Sequence, residues 1–173
     1  MQMFTIGHST RSQDEFLTLL GQHTIDQLAD IRRYPGSKRY PHFGSDAMAV
    51  WLPENDVRYV HMPELGGRRK PLADSPNTAW RNEQFRAYAD YMATDAFRAA
   101  IDALQALSAG ARIAIMCAEA VPWRCHRSLI ADALLVRGIV VSEITSGVRA
   151  KPHVLTPWAR VKGTRLTYPA SSV

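Results

Sequence analysis

Side chains that can attack a substrate or exchange protons lie where the predicted strands of this 173-residue chain end. Histidine titrates near neutral pH, a carboxylate can orient it or act as a base itself, and a thiolate is a nucleophile. Ligands of open parallel sheets bind beyond the carboxyl ends of the strands, so we expect these groups to form one catalytic site. The candidates are His8, Asp30, Cys117, Glu119, Cys125 and His126.

The two cysteines predict different chemistry. Cys117 ends an apolar strand, where a free cysteine usually serves as a small hydrophobic residue. Cys125 falls in the first turn of a helix predicted over residues 124–137, between Arg124 and Arg127. Helix N-termini and neighbouring cations lower the pKa of a thiol, so Cys125 is the better nucleophile candidate. The sequence does not decide which cysteine is functional. It also leaves two roles for Asp30, either to orient His8 or to form an ion pair with Arg32.

Basic residues and glycines near the same strand ends predict that an anion binds there. Arginine and lysine neutralise phosphates, and backbone N–H groups around paired glycines can meet an oxyanion. The leading hypothesis is therefore an enzyme, a hydrolase or transferase, acting on a phosphorylated or nucleotide-like substrate. Residues 32–43, which follow the second predicted strand and are rich in arginine and tyrosine, form what we call the Arg/Tyr loop. The alternative is that this loop is only a solvated segment. The substrate-binding candidates are Gly7, Ser9, Arg32, Ser37, Lys38, Arg39, Gly66, Gly67, Arg68 and Arg127.

Two more specific readings of the cysteine region fit less well. The spacing from Cys117 to Arg124 is Cys-x6-Arg, one residue longer than the anion cradle of cysteine phosphatases, and Glu119 adds a negative charge to it. A metal or thiol site built on Cys117, Cys125 and His126 has suitable ligand types. However, Cys-x7-Cys is not the usual zinc spacing, so we assign no metal ligands, keep the metal or thiol site as a third hypothesis and leave the cofactor undetermined.

The elements that must position these residues alternate between short apolar strands and amphipathic helices. Strands are predicted at residues 4–6, 27–31, 57–61, 112–117 and 139–145, with helical spacing of apolar residues between them. Strands separated by helices imply crossover connections and a mainly parallel sheet covered on both faces. The sequence thus predicts an α/β three-layer sandwich with about five strands, without fixing their order.

Length and charge set the domain organisation. We expect a single α/β domain over residues 1–148 and a basic, partly extended tail over 149–173, which carries the whole net charge of +5. A basic tail can contact phosphates, so a nucleic-acid-binding module without catalysis is the second hypothesis. No apolar run could span a membrane, no signal peptide is visible, and two cysteines suit a reducing compartment, so we expect a cytoplasmic protein.

Five short motifs in order along the chain resemble the "domain of unknown function 488" family. They are Thr5-Ile6-Gly7-His8-Ser9, Asp30-Ile31-Arg32 with Pro35 and Ser37, Leu65-Gly66-Gly67, Cys117-Ala118-Glu119 and Cys125-His126-Arg127. The resemblance runs from about residue 3 to residue 145. It implies an α/β domain in which these motifs belong together and brings no established reaction. Arg33-Tyr34 and the basic residues after Thr145 depart from the family pattern.

Overall fold

The structure is a computed structural model that describes residues 1–145 and 148–171. The strands are β1 (Gln2–Gly7), β2 (Gln27–Asp30), β3 (Arg58–His61), β4 (Ile113–Cys117), β5 (Val140–Ile144), β6 (Lys151–Pro152), β7 (Arg160–Lys162) and β8 (Arg165–Thr167). The helices are α1 (Gln13–Gln22), α2 (Ser45–Glu54), α3 (Glu83–Tyr91), α4 (Asp95–Leu107) and α5 (Arg127–Leu135).

The main sheet has the order β3-β2-β4-β1-β5-β6, and β7 pairs with β8 in a separate hairpin. Strands β1 to β5 are mutually parallel, as predicted, whereas β6 runs antiparallel to β5. This sixth strand is only two residues long, so it leaves no periodic pattern in the sequence. It covers part of the edge that β5 would otherwise expose.

Helices cover both faces of the sheet, which confirms the three-layer α/β sandwich. Helices α1 and α2 bury their apolar side chains against one face, and α3, α4 and α5 against the other. Alternate residues of β4 serve the two layers: Ile113, Ile115 and Cys117 face α3–α5, while Ala114 and Met116 face α1 and α2. Cys117 therefore ends its strand on the α5 side.

Side-chain caps begin helices α1 and α4, whereas α5 begins later than the sequence predicts. Ser12 and Glu15 form a capping box at α1, and Thr94 caps α4 through its hydroxyl. In contrast, α5 begins at Arg127 and not at Arg124. Residues 122–124 form a 3-10 turn that starts with Pro122, and Cys125 is extended, with φ −133° and ψ 143°. The predicted position of Cys125 in the first helical turn is therefore wrong.

The C-terminal residues contact the body through a buried polar cluster. The His153 imidazole lies 2.8 Å from Asp132 and 3.3 Å from Glu143, and the Tyr168 hydroxyl donates to Asp132 at 2.8 Å. Burial alone would lower the pKa of His153, but its hydrogen bonds to the two carboxylates raise it to about 9.

A search of the described residues for a helix with the length and apolar character of a membrane span finds none.

Candidate active site

The central strands β2, β4 and β1 end side by side, and their last residues bring most of the predicted site together. Gly7 pairs with Cys117 in the parallel register, and Asp30 pairs with Met116. The ladder continues past the strands, because the N–H groups of His8 and Ser9 donate to the carbonyls of Cys117 and Ala118 at 2.9 and 3.0 Å. The segment after β4 is therefore fixed against the end of β1.

A groove runs across these strand ends in two halves that share residues. The cysteine half encloses about 470 Å³ and includes Cys117, Cys125 and His126 in its lining. The histidine half encloses about 480 Å³ and includes His8 and Ser9. Both halves are lined by Arg32, Tyr34, Arg68, Ala118 and Glu119. We call the two halves together the strand-end groove.

Not every predicted residue lines this groove. Gly67 lines the cysteine half, and Ser37 and Arg39 line the histidine half. Five candidates line neither half: Gly7, Asp30, Lys38, Gly66 and Arg127. The basic residues of the C-terminal segment also line neither half, so they do not share this surface with the Arg/Tyr loop. These residues are Arg149, Lys151, Arg160, Lys162 and Arg165.

The sulfur of Cys117 contacts a buried guanidinium. Arg127, the first residue of α5, is fully buried, and its Nη1 lies 2.6 Å from Cys117 Sγ. The same group donates to the carbonyl oxygens of Glu119 at 2.5 Å and Ala120 at 3.0 Å. No carboxylate pairs with Arg127 in the described residues. A buried positive charge needs an anion, and the Cys117 thiolate is the group in place to supply it.

The two thiols consequently titrate in opposite directions. Burial raises the pKa of Cys117, but the hydrogen bond from Cys125 and the charge and hydrogen bond of Arg127 outweigh it, and the pKa falls to about 7. Burial, together with the hydrogen bond and charge of Cys117, raises the pKa of Cys125. The expectation that Cys125 carries the lowered pKa is therefore wrong. The cation that lowers a thiol pKa here is the Arg127 guanidinium, and it contacts the sulfur of Cys117.

Gly7 lets the loop after β4 cross the end of β1. A Cβ atom at Gly7 would lie 1.6 Å from the carbonyl oxygen of Glu119, so no other residue fits without moving that loop. Gly66 is similarly confined, because a Cβ there would lie 2.7 Å from the backbone of Arg33. These glycines bring chain segments together and do not face the groove.

His8 is held as a neutral ring with a defined tautomer. It stacks on Phe43 at 4.3 Å, and Nδ1 lies 2.9 Å from the Ser9 carbonyl oxygen, which can only accept. The proton is therefore on Nδ1, and Nε2 presents a lone pair 3.4 Å from Arg32 Nη1. Burial lowers the pKa of His8 to about 4, so the ring is uncharged at pH 7.

Asp30 pairs with Arg32, which settles the alternative left by the sequence. Its two oxygens accept from Arg32 Nε at 2.8 Å and Nη2 at 2.7 Å, and Tyr59 donates a further hydrogen bond at 2.6 Å. The Arg32 side chain is 10% exposed and the Asp30 side chain is fully buried. The carboxylate therefore orients the guanidinium whose remaining nitrogen, Nη1, faces His8.

His126 is enclosed at the base of the cysteine half. Its ring packs on Tyr88 at 4.7 Å, and Nδ1 lies 3.7 Å from Cys125 Sγ. Burial lowers its pKa to about 4. Within residues 1–145 and 148–171, no three histidine, cysteine or acidic side chains group as metal ligands would.

Arginines form the rim of the strand-end groove. The lining includes Arg32, Arg33, Arg39, Arg68 and Arg124, against one carboxylate, that of Glu119. The Arg33 and Arg68 guanidiniums each lie over the Tyr34 ring, at 5.6 and 5.5 Å. Two lining residues, Ser9 and Arg68, adopt left-handed backbone with φ of 52° and 59°, a strain that often accompanies functional sites.

Helix α3 contributes residues that the sequence did not identify. Gln84, Phe85 and Tyr88 line the cysteine half, opposite the loop after β4. The segment that leads into α3, residues 63–82, has no hydrophobic periodicity, so its path across the groove left no signal in the sequence. A Tyr88 hydrogen bond to the Leu65 carbonyl at 2.7 Å fastens that segment to the helix.

Comparison with known proteins identifies a family. No curated protein and no solved structure matches the chain. A family model described as "Domain of unknown function DUF488" matches residues 12–134. Four of the five motifs lie within that range, and the first, at residues 5–9, lies before it. The match covers well over half of the chain and includes both cysteines and Arg127, so this protein belongs to the domain of unknown function DUF488 family.

Proposed function

We propose that this protein is an enzyme that binds a phosphorylated or nucleotide-like substrate in the strand-end groove and transfers a group from it through Cys117. The observation that carries the proposal is the 2.6 Å contact between the buried Arg127 guanidinium and the Cys117 sulfur. Despite burial, the hydrogen bond with Cys125 and this same contact lower the pKa of Cys117 to about 7, which favours the thiolate near neutral pH. A thiolate is the reactive form of cysteine.

The charge balance of the groove favours an anionic substrate. Five arginines line it and Asp30 neutralises one of them, Arg32, so four remain against the carboxylate of Glu119. Arginine binds phosphate oxygens in pairs of hydrogen bonds. Arg32 is oriented for this by Asp30, which occupies its Nε and Nη2 and leaves Nη1 toward the groove. Tyr34 is 63% exposed beside Arg33 and Arg68, so it offers an aromatic face on which a base could stack.

The proposed reaction has two steps. The Cys117 thiolate forms a bond to the electrophilic centre of the substrate, and the leaving group departs with the electron pair of the broken bond and takes up a proton. Water, or a second acceptor, then attacks the thio-linked group, loses a proton and restores the thiolate. Splitting one difficult displacement into two in this way is the usual benefit of a covalent intermediate.

Proton transfer falls to Glu119 in this scheme. Burial lowers the pKa of both His8 and His126 to about 4, so neither ring is a charged acid at pH 7. Glu119 is exposed, lines both halves of the groove and is the one carboxylate residue in their lining. We assign it the role of accepting the proton from water, while His8 Nε2, 3.4 Å from Arg32 Nη1, helps to orient that guanidinium.

A thermal-shift experiment tests the binding part. A ligand at about 100 times its Kd stabilises a protein by about 2.7 kcal/mol, which raises the Tm of a domain of this size by roughly 5–10 °C. The panel holds phosphate, sulfate, mononucleotides and short single-stranded oligonucleotides. We expect a shift with a phosphate or mononucleotide that disappears in Arg68→Gln and Arg124→Gln.

The control is Arg160→Gln, which removes an exposed arginine of the C-terminal hairpin outside the groove. It should keep the full shift. No shift with any small anion contradicts the proposal, and a shift with oligonucleotides alone that Arg160→Gln weakens would indicate a nucleic-acid-binding surface on the C-terminal segment instead. For a substrate found this way, Cys117→Ser should abolish turnover while retaining the ligand shift.

A further inference from the structure

We infer that Cys117 and Cys125 form a reversible disulfide when a hydroperoxide enters the cysteine half of the groove. The inference deepens the proposed function, because the disulfide consumes the sulfur on which that function rests. It also stands on its own geometry, which involves no substrate.

The two cysteines share one part of the groove and one neighbouring residue. Both line the cysteine half, and a hydrogen bond between their side chains contributes to the lowered pKa of Cys117. Arg127 contacts both sulfurs, through Nη1 to Cys117 at 2.6 Å and through its backbone N–H to Cys125 at 3.4 Å. Forming the bond therefore closes the short loop of residues 118–124 without bringing distant segments together.

The two thiols differ in the way that peroxide chemistry requires. Cys117 supplies the thiolate, which attacks one peroxide oxygen, breaks the O–O bond and becomes a sulfenic acid, while the other oxygen leaves as an alcohol or water after taking a proton. Cys125 then attacks the sulfenic sulfur, its proton leaves with the hydroxyl group as water, and the disulfide forms. Two thiols and one hydroperoxide thus give one disulfide, one alcohol or water, and one water.

The surroundings assist both steps. The Arg127 guanidinium beside Cys117 and the exposed Arg124 on the rim can stabilise the oxygen anion that leaves the peroxide. The disulfide then removes the negative charge that Arg127 faces and blocks the nucleophile of the proposed reaction. Because thiols reduce such a bond, the change is reversible, which distinguishes it from further oxidation of a lone cysteine.

The chain makes the experiment simple, since Cys117 and Cys125 are its only cysteines. The full-length reduced protein is treated with one equivalent of hydrogen peroxide, then blocked with N-ethylmaleimide and digested without reductant. We expect the number of N-ethylmaleimide adducts to fall from two to none and a peptide that links Cys117 to Cys125 to appear. Dithiothreitol should restore both adducts.

Single variants separate the two roles. In Cys125→Ser, Cys117 should stop at the sulfenic acid and react with dimedone, whereas in Cys117→Ser the remaining cysteine should keep its N-ethylmaleimide adduct after peroxide. Circular dichroism checks that each variant is folded, and Cys117→Ala replaces Cys117→Ser if it is not. Wild-type protein that keeps both thiols, or that accumulates sulfinic acid on Cys117 with no linked peptide, overturns the disulfide.

The outcome is independent of the proposed function. A linked peptide in a protein that shows no thermal shift with any anion would support the thiol pair and contradict the substrate class. A ligand shift with no linked peptide would support the substrate class and contradict the thiol pair. The two experiments therefore fail separately.

Discussion

Replacement of Arg127 tests why Cys117 is a thiolate. In Arg127→Met the side chain keeps a long apolar stem while the charge is lost, so burial of Cys117 is no longer opposed by a guanidinium. We expect the pKa of Cys117 to rise from about 7 to above the ordinary value of about 8.5. The thiolate fraction at pH 7 then falls from about one half to about 3% or less.

The alkylation rate at one pH understates this change. Thiolates of higher pKa are better nucleophiles, with a Brønsted slope of about 0.4–0.5, so a pKa higher by roughly 1.5 raises the intrinsic rate roughly five-fold. Against a roughly fifteen-fold loss of thiolate, the net fall at pH 7 is only about three-fold. The quantity to measure is therefore the midpoint of alkylation rate against pH, followed for Cys117 by peptide mass spectrometry.

The wild-type midpoint should lie near pH 7 and that of Arg127→Met above about 8.5. Arg127→Lys keeps the charge and should retain a midpoint below about 8, since a nearby cation favours the thiolate. Arg124→Gln changes an exposed rim arginine and should leave the midpoint unchanged. A folded Arg127→Met protein that still titrates near pH 7 would refute the reasoning and assign the thiolate to its hydrogen bond with Cys125.

Three other predictions concern the pKa of His153, the close contact at Gly7 and the pKa of His8. Despite burial, the hydrogen bonds of His153 to Asp132 and Glu143 raise its pKa to about 9, so protonated His153 stabilises the fold by an amount that is fully present below about pH 6.5 and lost as the pH rises to about 9. After screening by solvent we expect this amount to be on the order of 1–2 kcal/mol. His153→Gln should therefore flatten the urea stability curve over that range, and parallel curves would contradict this. Gly7→Ala should lower the free energy of unfolding by about 3 kcal/mol or more, because its Cβ meets the Glu119 carbonyl. Gly21→Ala, with open space at its Cβ on α1, should instead stabilise by up to about 1 kcal/mol, and equal effects of the two would count against the close contact. For His8, a proton NMR titration should give a midpoint near 4, whereas one near 6.5 would place the ring in water.

The layers of the fold were predictable because they follow from local patterns. Helix α1 carries its apolar residues at helical spacing behind the Ser12 cap, and β4 is an uninterrupted apolar run. The parallel crossovers then require that strand ends share an edge. This is why His8 and Cys117 could be assigned to one region before the strand order β3-β2-β4-β1-β5-β6 was known.

What escaped prediction depends on details that no periodicity encodes. The 3-10 turn that starts at Pro122 precedes α5, so the helix begins three residues later than the sequence predicts and Cys125 lies outside it. The sequence assigned Arg127 to substrate binding because an arginine near a strand end can neutralise a bound anion. Its complete burial, with only carbonyl oxygens and a sulfur around it, is a tertiary property.

We propose that the loop after β4 separates anion recognition from activation of Cys117. Its carbonyl oxygens at Glu119 and Ala120 face Arg127, so at these positions the loop accepts hydrogen bonds from the guanidinium and does not wrap amide N–H groups around an anion. In the proposed function, charge recognition falls to the rim arginines, among them Arg68 after β3 and Arg124 in the second part of this loop. It follows that Arg68→Gln and Arg124→Gln should weaken anion binding without moving the alkylation midpoint of Cys117, whereas Arg127→Met should move the midpoint without abolishing anion binding. If the rim variants shifted the midpoint as much as Arg127→Met does, recognition and activation would depend on the same charges and the division argued from the loop carbonyls would be wrong.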